Sequence, residues 1–428
     1  MDGMNTLFFV QSSEPVVVLT GADAGGTDSW ATGRNWSNRE APSAAYAYLV
    51  AGAGKLLRHS TNTDPVTFAG RALSIANEGD VAINGLDTVV SDLRLCSDGI
   101  LSTRNDGAGN RLRGTATVYA ATGRPFNFEI ETGGGTRTLN LEAVFQGSGD
   151  LRFRYYHTSY TASGSEMPKT FFLVTGESPH FTGGIELHQR SVCVDFKNER
   201  AMGGPAPAFR PDRLLFTSNA TLRCSASYVM SDPTRGITMG GGGTVGFEGG
   251  RFEVLGGQTL VVSNLISGAT SLRKAGSGVL ALCCATNAFS GTVRNLTEGG
   301  VIAIGAADAV ARASLQSCYN AVWRVDAPEG MTVKSLDAVV QNGDGNQTLL
   351  VRPGAFAPGR RADGRIVANL VRFKGATAAD AERALSLVKL DDSDLGRNWT
   401  CELSTQEVAD GLLVLVTARQ HGLTIYFR

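Results

Sequence analysis

The chain has 428 residues, of which 53 are glycine and only 13 proline, and it lacks a G-X-Y period, which excludes collagen. The 39 basic residues against 40 acidic ones leave a net charge of -1, which removes the electrostatic footprint of a general nucleic-acid binder. Hydrophobic residues at 42% are enough for a sizeable core and argue against a disordered chain.

In chain order, two short apolar runs come first, Leu7 to Val10 and Val16 to Leu19. Gln11 to Glu14 separate them and no Lys or Arg precedes them, so they make a poor secretory signal. No stretch of about 18 apolar residues exists, so no transmembrane segment is expected. Trp30 and Trp36 bracket Ala-Thr-Gly-Arg-Asn, with Ala41-Pro42 following; two bulky indoles suit the covering of an exposed strand edge. Next comes Arg152-Phe-Arg-Tyr-Tyr-His-Thr-Ser-Tyr160. In a strand, Arg152, Arg154 and Tyr156 share one face, and Phe153, Tyr155 and His157 the other. Exposed Tyr beside Arg is what a sugar-stacking or protein-binding surface uses. Arg154, Tyr155, Tyr156, His157 and Tyr160 are therefore the candidate ligand-binding residues. An edge strand with a tyrosine-rich loop is the commoner reading of such a pattern.

The strongest signal is a repeat. Thr259-Leu-Val-Val262, Val279-Leu-Ala-Leu282 and Val301-Ile-Ala-Ile304 are short β-prone runs, with 20 residues from Leu260 to Leu280 and 22 from Leu280 to Ile302. Period-two alternation marks strands with one buried face. Short strands, glycine corners such as Gly240 to Gly243 and a period near 21 describe a coil of strands rather than a sandwich. Leu280 and Leu282 should point inward, stacked between Leu260/Val262 and Ile302/Ile304, with Ala281 outward.

Residues 235–310 resemble the autotransporter-associated β-strand repeat of bacterial surface and secreted passenger domains. The matching elements are Leu272-Arg-Lys-Ala-Gly-Ser-Gly-Val-Leu-Ala-Leu282, Asn287-Ala-Phe-Ser-Gly291 and Gly299-Gly-Val-Ile-Ala-Ile-Gly305. Weaker copies are His180-Phe-Thr-Gly-Gly184 with Ile185 and Leu187, and Phe68-Ala-Gly70 with Leu73 and Ile75. The Trp30–Ser37 segment is similar to the opening cap of such proteins. The resemblance implies an all-β fold, a right-handed parallel β-helix (solenoid), and a secreted or cell-surface adhesin. The C-terminal membrane barrel of autotransporters has no counterpart in the 106 residues after Val322.

That tail reads as a small C-terminal α+β or β cap. Thr377 to Asp380 opens a capped helix of about ten residues. Strands are expected at 348–351, 365–373, 412–417 and 423–427. The domain organisation is thus 1–60 as N-terminal strands and cap, 61–322 as solenoid, and 323–428 as C-terminal cap.

Chemistry-bearing patterns are few. The seven cysteines are scattered with no C-x-x-C pair, and read as buried apolar residues. The five histidines form no H-E-x-x-H motif. Asn342-Gly-Asp-Gly-Asn346 opens like a calcium loop, but Gln347 and Pro353 stand where glycine and glutamate belong, so it reads as a turn. Asp391, Asp392 and Asp394 read as a solvated cluster. No catalytic residue, metal ligand or cofactor is assigned.

The reading is a non-catalytic structural or adhesive monomer whose partners are surface glycans or cell-surface proteins, with no nucleic acid. A polysaccharide lyase or glycoside hydrolase on the same fold is the alternative. It would need Asp, Lys or Arg converging on one outer face of consecutive strands; between Leu260 and Ile304 the only charges are Arg273, Lys274, Arg294 and Glu298.

Overall fold

Leu260, Leu280 and Ile302 stand side by side on three neighbouring parallel strands in a computed structural model of the chain. The 20- and 22-residue spacings are therefore pairing distances. The structure describes residues 15–20, 30–58, 66–83, 87–103, 109–121, 123–130, 136–155, 170–241, 249–318, 320–341, 345–354, 365–393 and 399–420. Among the described residues the architecture is all-β, with long parallel sheets, one short α-helix and no closed barrel, an arrangement consistent with a β-helix. Among the described residues, no helix is long and apolar enough to cross a membrane. The chain divides into two compact units, residues 1–195 with 200–206, and residues 196–199 with 207–428.

In the first unit the chain alternates between two parallel sheets. One runs through Val16–Val18, Ala47–Ala51, Ala72–Ala76, Thr88–Leu95, Asn110–Val118, Arg137–Leu141 and Thr170–Val174. The other runs through Leu56–Arg58, Asp80–Ala82, Ile100–Thr103, Phe126–Ile130, Leu151–Tyr155 and Ile185–His188. Inward residues alternate along each strand and fill the space between the sheets. Phe128 stacks on Phe153 at 5.3 Å, and Phe153 meets Phe172 of the facing sheet at 5.0 Å. Trp30 and Trp36 are buried among Tyr48 and Phe68, with Trp36 4.7 Å from Tyr48 and Trp30 5.2 Å from Phe68. The Trp36 indole donates to the Trp30 carbonyl at 3.1 Å, so each tryptophan fixes the other.

The aromatic-x-glycine element of the repeat has a steric cause. Phe181 and Phe289 plug the core, and two residues on the chain must pass close to a neighbouring strand. A Cβ on Gly183 would lie 1.8 Å from the Gly149 carbonyl oxygen, and one on Gly291 1.7 Å from that of Thr270. Only glycine fits there. Asn287, two residues before Phe289, bridges three segments: its Oδ1 accepts from the Ile266 amide at 2.8 Å and its Nδ2 donates to the Ala309 carbonyl at 3.1 Å.

The second unit has three parallel sheets and a four-stranded mixed one. The first contains Ala220–Cys224, Gly250–Val254, Ser271–Ala275, Thr292–Asn295 and Ser314–Ser317. The second contains Arg210–Thr217, Arg235–Met239 and Ile266–Ser267. The third contains Tyr228–Met230, Thr259–Val262, Val279–Leu282, Val301–Ile304, Val322–Val325, Leu349–Pro353 and Val388–Leu390. Leu260, Leu280, Leu282, Ile302 and Ile304 are all at most 1% exposed, as expected of an inward ladder. The expectation for Ala281 is corrected in part. It alternates with Leu280 and Leu282, yet is only 6% exposed, and its lateral partner Ala303 is fully buried. Its lateral partner Val261 and its next-but-one neighbours Val279 and Cys283 are larger and half-buried, which leaves the short methyl little exposure.

The inner face of the first sheet is partly polar. Phe252, Lys274, Asn295 and Ser317 follow one another in register. Lys274 is fully buried and its Nζ donates to the Gly276 carbonyl. Burial pushes its pKa down to about 8, against a smaller opposing influence from Cys318. The unfolded chain therefore binds more protons than the folded one between about pH 8 and 10.5, and stability should rise with pH across that window by about 3 kcal/mol. Lys274→Met should remove this rise and raise stability at pH 7. Denaturant titrations of both proteins from pH 7 to 10.5 check it, and parallel profiles would contradict it.

A second buried polar cluster ties Arg213, Asp232, Arg235 and Glu199. The Arg213 Nη1 donates to Asp232 Oδ2 at 2.7 Å and to Thr234 Oγ1 at 2.8 Å. Arg235 lies 3.6 Å from Asp232 and 3.5 Å from Glu199, whose carboxylate also accepts from the Ser231 and Asp232 amides at 2.8 Å. Burial, reinforced by the like charge of Arg213, brings Arg235 down to about 10. Burial would raise Asp232, but hydrogen bonds from Thr234 and the charges of both arginines outweigh it and hold the carboxyl low.

Val322–Val325, at the expected start of the C-terminal segment, is a strand of the third sheet. Beyond it, Met331–Val333, Arg365–Lys374, Gly411–Gln420 and Trp399–Val408 form the mixed sheet, antiparallel except for the first pair. The capped helix is present as a 3-10 turn at Ala378–Asp380 followed by Ala381–Leu387. Thr377 and Asp380 form the reciprocal capping box. The strand expected at 423–427 lies outside the described residues.

Candidate functional site

The outward face of the second sheet of the first unit carries two columns of mostly polar side chains. Lateral pairing aligns Leu56, Asp80, Ile100, Asn127, Arg152 and Glu186 in one column. The adjacent column is Arg58, Ala82, Ser102, Glu129 and Arg154. Neighbouring strands are about 4.8 Å apart, so these side chains meet across strands although 20 to 34 residues separate them along the chain.

They form a groove of about 590 Å³, lined by Ala53 to Leu56, Glu78, Asp80, Asp98, Ile100, Asn127, Arg152 and Arg154. Its charges are held by neighbours. Arg152 Nε donates to Glu186 Oε2 at 2.7 Å, Arg154 pairs with the fully buried Glu129, and Arg124 Nε donates to Asp98 Oδ2 at 2.7 Å. Asp80 Oδ1 accepts from Ser102 Oγ at 2.7 Å. Burial alone would raise the pKa of Glu186, but the His188 hydrogen bond at 3.1 Å and the charge of Arg152 hold it below the usual carboxylate range. Asn127 is 4% exposed, and its Oδ1 has no hydrogen-bond partner among the described residues. A buried acceptor without a donor costs about 1–3 kcal/mol, so the floor of the groove favours a ligand that donates to it.

Of the residues expected from sequence, Arg154 lines this groove, as does Arg152 of the same strand. Tyr155 takes the inward face, 7% exposed beside Phe153, and does not line it. Tyr156, His157 and Tyr160 lie outside the described residues. Glu78, Asp80, Asp98, Asn127 and Glu129 were not singled out by sequence. The signal that could have found them, a fixed interval, is spoiled by steps of 20, 27, 25 and 34 residues from Asp80 to Ile100, Asn127, Arg152 and Glu186.

The remaining patterns do not assemble into a site. Asp391 accepts from Arg352 Nε at 2.8 Å. Burial opposes ionisation, yet the hydrogen bonds from Arg352 and Ser393 hold the carboxyl low. Asp394, and 342–344 of the candidate calcium loop, lie outside the described residues; Asn346 folds its Oδ1 onto the Thr348 amide at 3.1 Å, as a turn does. All seven cysteines are unpaired with one another: Cys96, Cys193 and Cys224 are buried and the other four half-buried. Among the described residues, no group of three or more His, Cys, Asp or Glu is placed to hold a metal ion.

No family model, no curated protein and no solved structure matches the chain.

Proposed function

We propose that the chain is a secreted or bacterial cell-surface protein whose parallel sheets form a right-handed β-solenoid with a small C-terminal cap. In this reading it is a non-catalytic structural and adhesive protein of the autotransporter-repeat kind, and the groove is its binding surface for extended surface glycans. Support for the coil comes from lateral partners about 21 residues apart and from the repeat's Asn, Phe and Gly positions serving as bridge, plug and close-approach corner. The observation that carries the binding role is a groove floor of consecutive strands whose arginines are fixed by carboxylates, beside a buried Asn127 oxygen awaiting a donor. Rigid planar polar groups of both signs suit the hydroxyls of a sugar chain.

A glycan array probed with wild-type protein, Arg154→Gln and Asn127→Ala tests it. Binding to at least one neutral or mixed-charge polysaccharide, weakened roughly tenfold by either change, is the expected result. No binding, or binding that both variants retain, would count against it. The second reading, a polysaccharide-active enzyme, draws on Glu78, Asp80 and Asp98 sharing the groove with Arg152 and Arg154. Cleavage products would decide for it.

A further inference from the structure

The floor of the first unit's groove holds an acceptor that the fold does not serve. Asn127 is 4% exposed and lines the groove. Its Nδ2 donates to the carbonyls of Gly99 and Pro125, both at 3.4 Å. Those carbonyls set the orientation of the side-chain amide, because turning it over would put oxygen against oxygen. Its Oδ1 therefore stays on the other side, with no donor among the described residues. The direct lateral partner of Asn127 is Arg152, on a strand about 4.8 Å away. Arg152 bonds through Nε to Glu186 on the strand beyond, which draws the guanidinium away from Asn127, and its side chain is 28% exposed. An acceptor and a fixed multiple donor thus flank one stretch of the groove. Past Ile100, the lateral partner of Asn127 on its other side, come Asp80 and, on the corners, Glu78 and Asp98. Asp80 and Asp98 accept from Ser102 and Arg124, and a carboxylate takes several hydrogen bonds.

We infer that the groove takes a glycan of N-acetylated amino sugars, with an acetamido group seated between Asn127 and Arg152. This rests on the reading of the groove as a glycan-binding surface and names its ligand class. The N–H and C=O of a secondary amide point in opposite directions, so the group fits between an acceptor and a donor. Its N–H meets Asn127 Oδ1 and its carbonyl meets the Arg152 guanidinium. The ring hydroxyls, which donate as well as accept, then face the carboxylates of Glu78, Asp80 and Asp98. A plain hydroxyl in place of the acetamido group is too short to span both partners. A free ammonium gives Asn127 a donor but sets a positive charge against Arg152. A peptide carries amides too, yet its further carbonyls would face carboxylates that have nothing to donate.

The test is calorimetric titration with three pentasaccharides that differ only at C2. Chitopentaose carries the acetamido group, its deacetylated form an ammonium, and cellopentaose a hydroxyl; a capped oligoalanine peptide is the fourth ligand. Each is titrated into wild type, Asn127→Leu and Arg152→Lys. Asn127→Leu removes the unserved acceptor at similar size and should fold, since the Gly99 and Pro125 carbonyls also accept backbone amides. Arg152→Lys keeps a cation beside Glu186 but loses the planar fork. Wild type should bind chitopentaose roughly tenfold or more tightly than the other three ligands. Asn127→Leu should bring chitopentaose and cellopentaose within about threefold of each other, and Arg152→Lys should narrow the same gap. Cellopentaose, the deacetylated sugar or the peptide binding wild type as tightly as chitopentaose would overturn the inference and leave the groove's glycan role standing. So would no binding of chitopentaose, or a preference for it that both variants retain. Failure of every glycan on the array would instead remove the reading of the groove, and this inference with it.

Discussion

Leu282→Asp is expected to abolish the cooperative unfolding transition of the second unit. Leu282 is 1% exposed and lies between Val262 and Ile304 on its own ladder. Truncating such a leucine costs about 2–5 kcal/mol through lost burial and the cavity left behind. A carboxylate there adds several kcal/mol for a buried charge with no partner. Because each strand is stabilised mainly by the strands beside it, the loss spreads to Thr259–Val262 and Val301–Ile304. Ala281→Asp is expected to cost less, about 1–3 kcal/mol, because its side chain starts from the outward face although the methyl is covered. Thermal midpoints of the two variants read the difference. A loss for Ala281→Asp equal to or larger than that for Leu282→Asp would mean that the strand register is wrong.

Asp232→Asn should cost the second unit about 3–5 kcal/mol, since it removes the carboxylate that both buried arginines, Arg213 and Arg235, share. Asp212→Asn, which breaks the much more exposed pair with Arg210, should stay within about 0.5 kcal/mol of wild type. The acid limb carries a second signature. Asp232 has its pKa lowered by folding, so its stabilisation is present above the unfolded value near 3.9 and disappears as pH falls through the lower folded value. Asp232→Asn should therefore lose less stability than wild type on acidification below about pH 4. Chemical denaturation at pH 7 and at pH 3 measures both effects, and a neutral-pH loss no larger than that of Asp212→Asn would contradict the assignment.

The repeat was legible where the interval between lateral partners is nearly constant. From Leu260 through Leu280 to Ile302, alternation fixed the inward face and the 20–22 residue step fixed the partner. The Thr377 to Asp380 cap was equally readable, because its signal is local. Trp399–Val408 was not anticipated. Its polar sequence packs few apolar residues inward, and it holds its place by pairing along its whole length with Gly411–Gln420. The groove stayed hidden for a different reason. Asp80, Asn127 and Arg152 are brought together only by lateral pairing, and corners of unequal length erase the interval that would have announced it. Arg154 was found because its own strand advertises alternating arginines, but its partner Glu129 lies 25 residues earlier, where nothing local marks it. Ala281 shows a further limit: alternation says which face a side chain takes, and the neighbours decide whether that face is wet.

The claim that the groove of the first unit binds a glycan without cleaving it can be tested in one experiment. Wild-type protein is incubated with the polysaccharide that it retains best on the array, and both the bound fraction and the chain length of the recovered polymer are measured. Retention with the chain length unchanged and no new reducing or unsaturated ends, together with loss of retention in Arg154→Gln, is the predicted result. Shortened chains whose formation is lost in Arg154→Gln would contradict it and make the protein an enzyme.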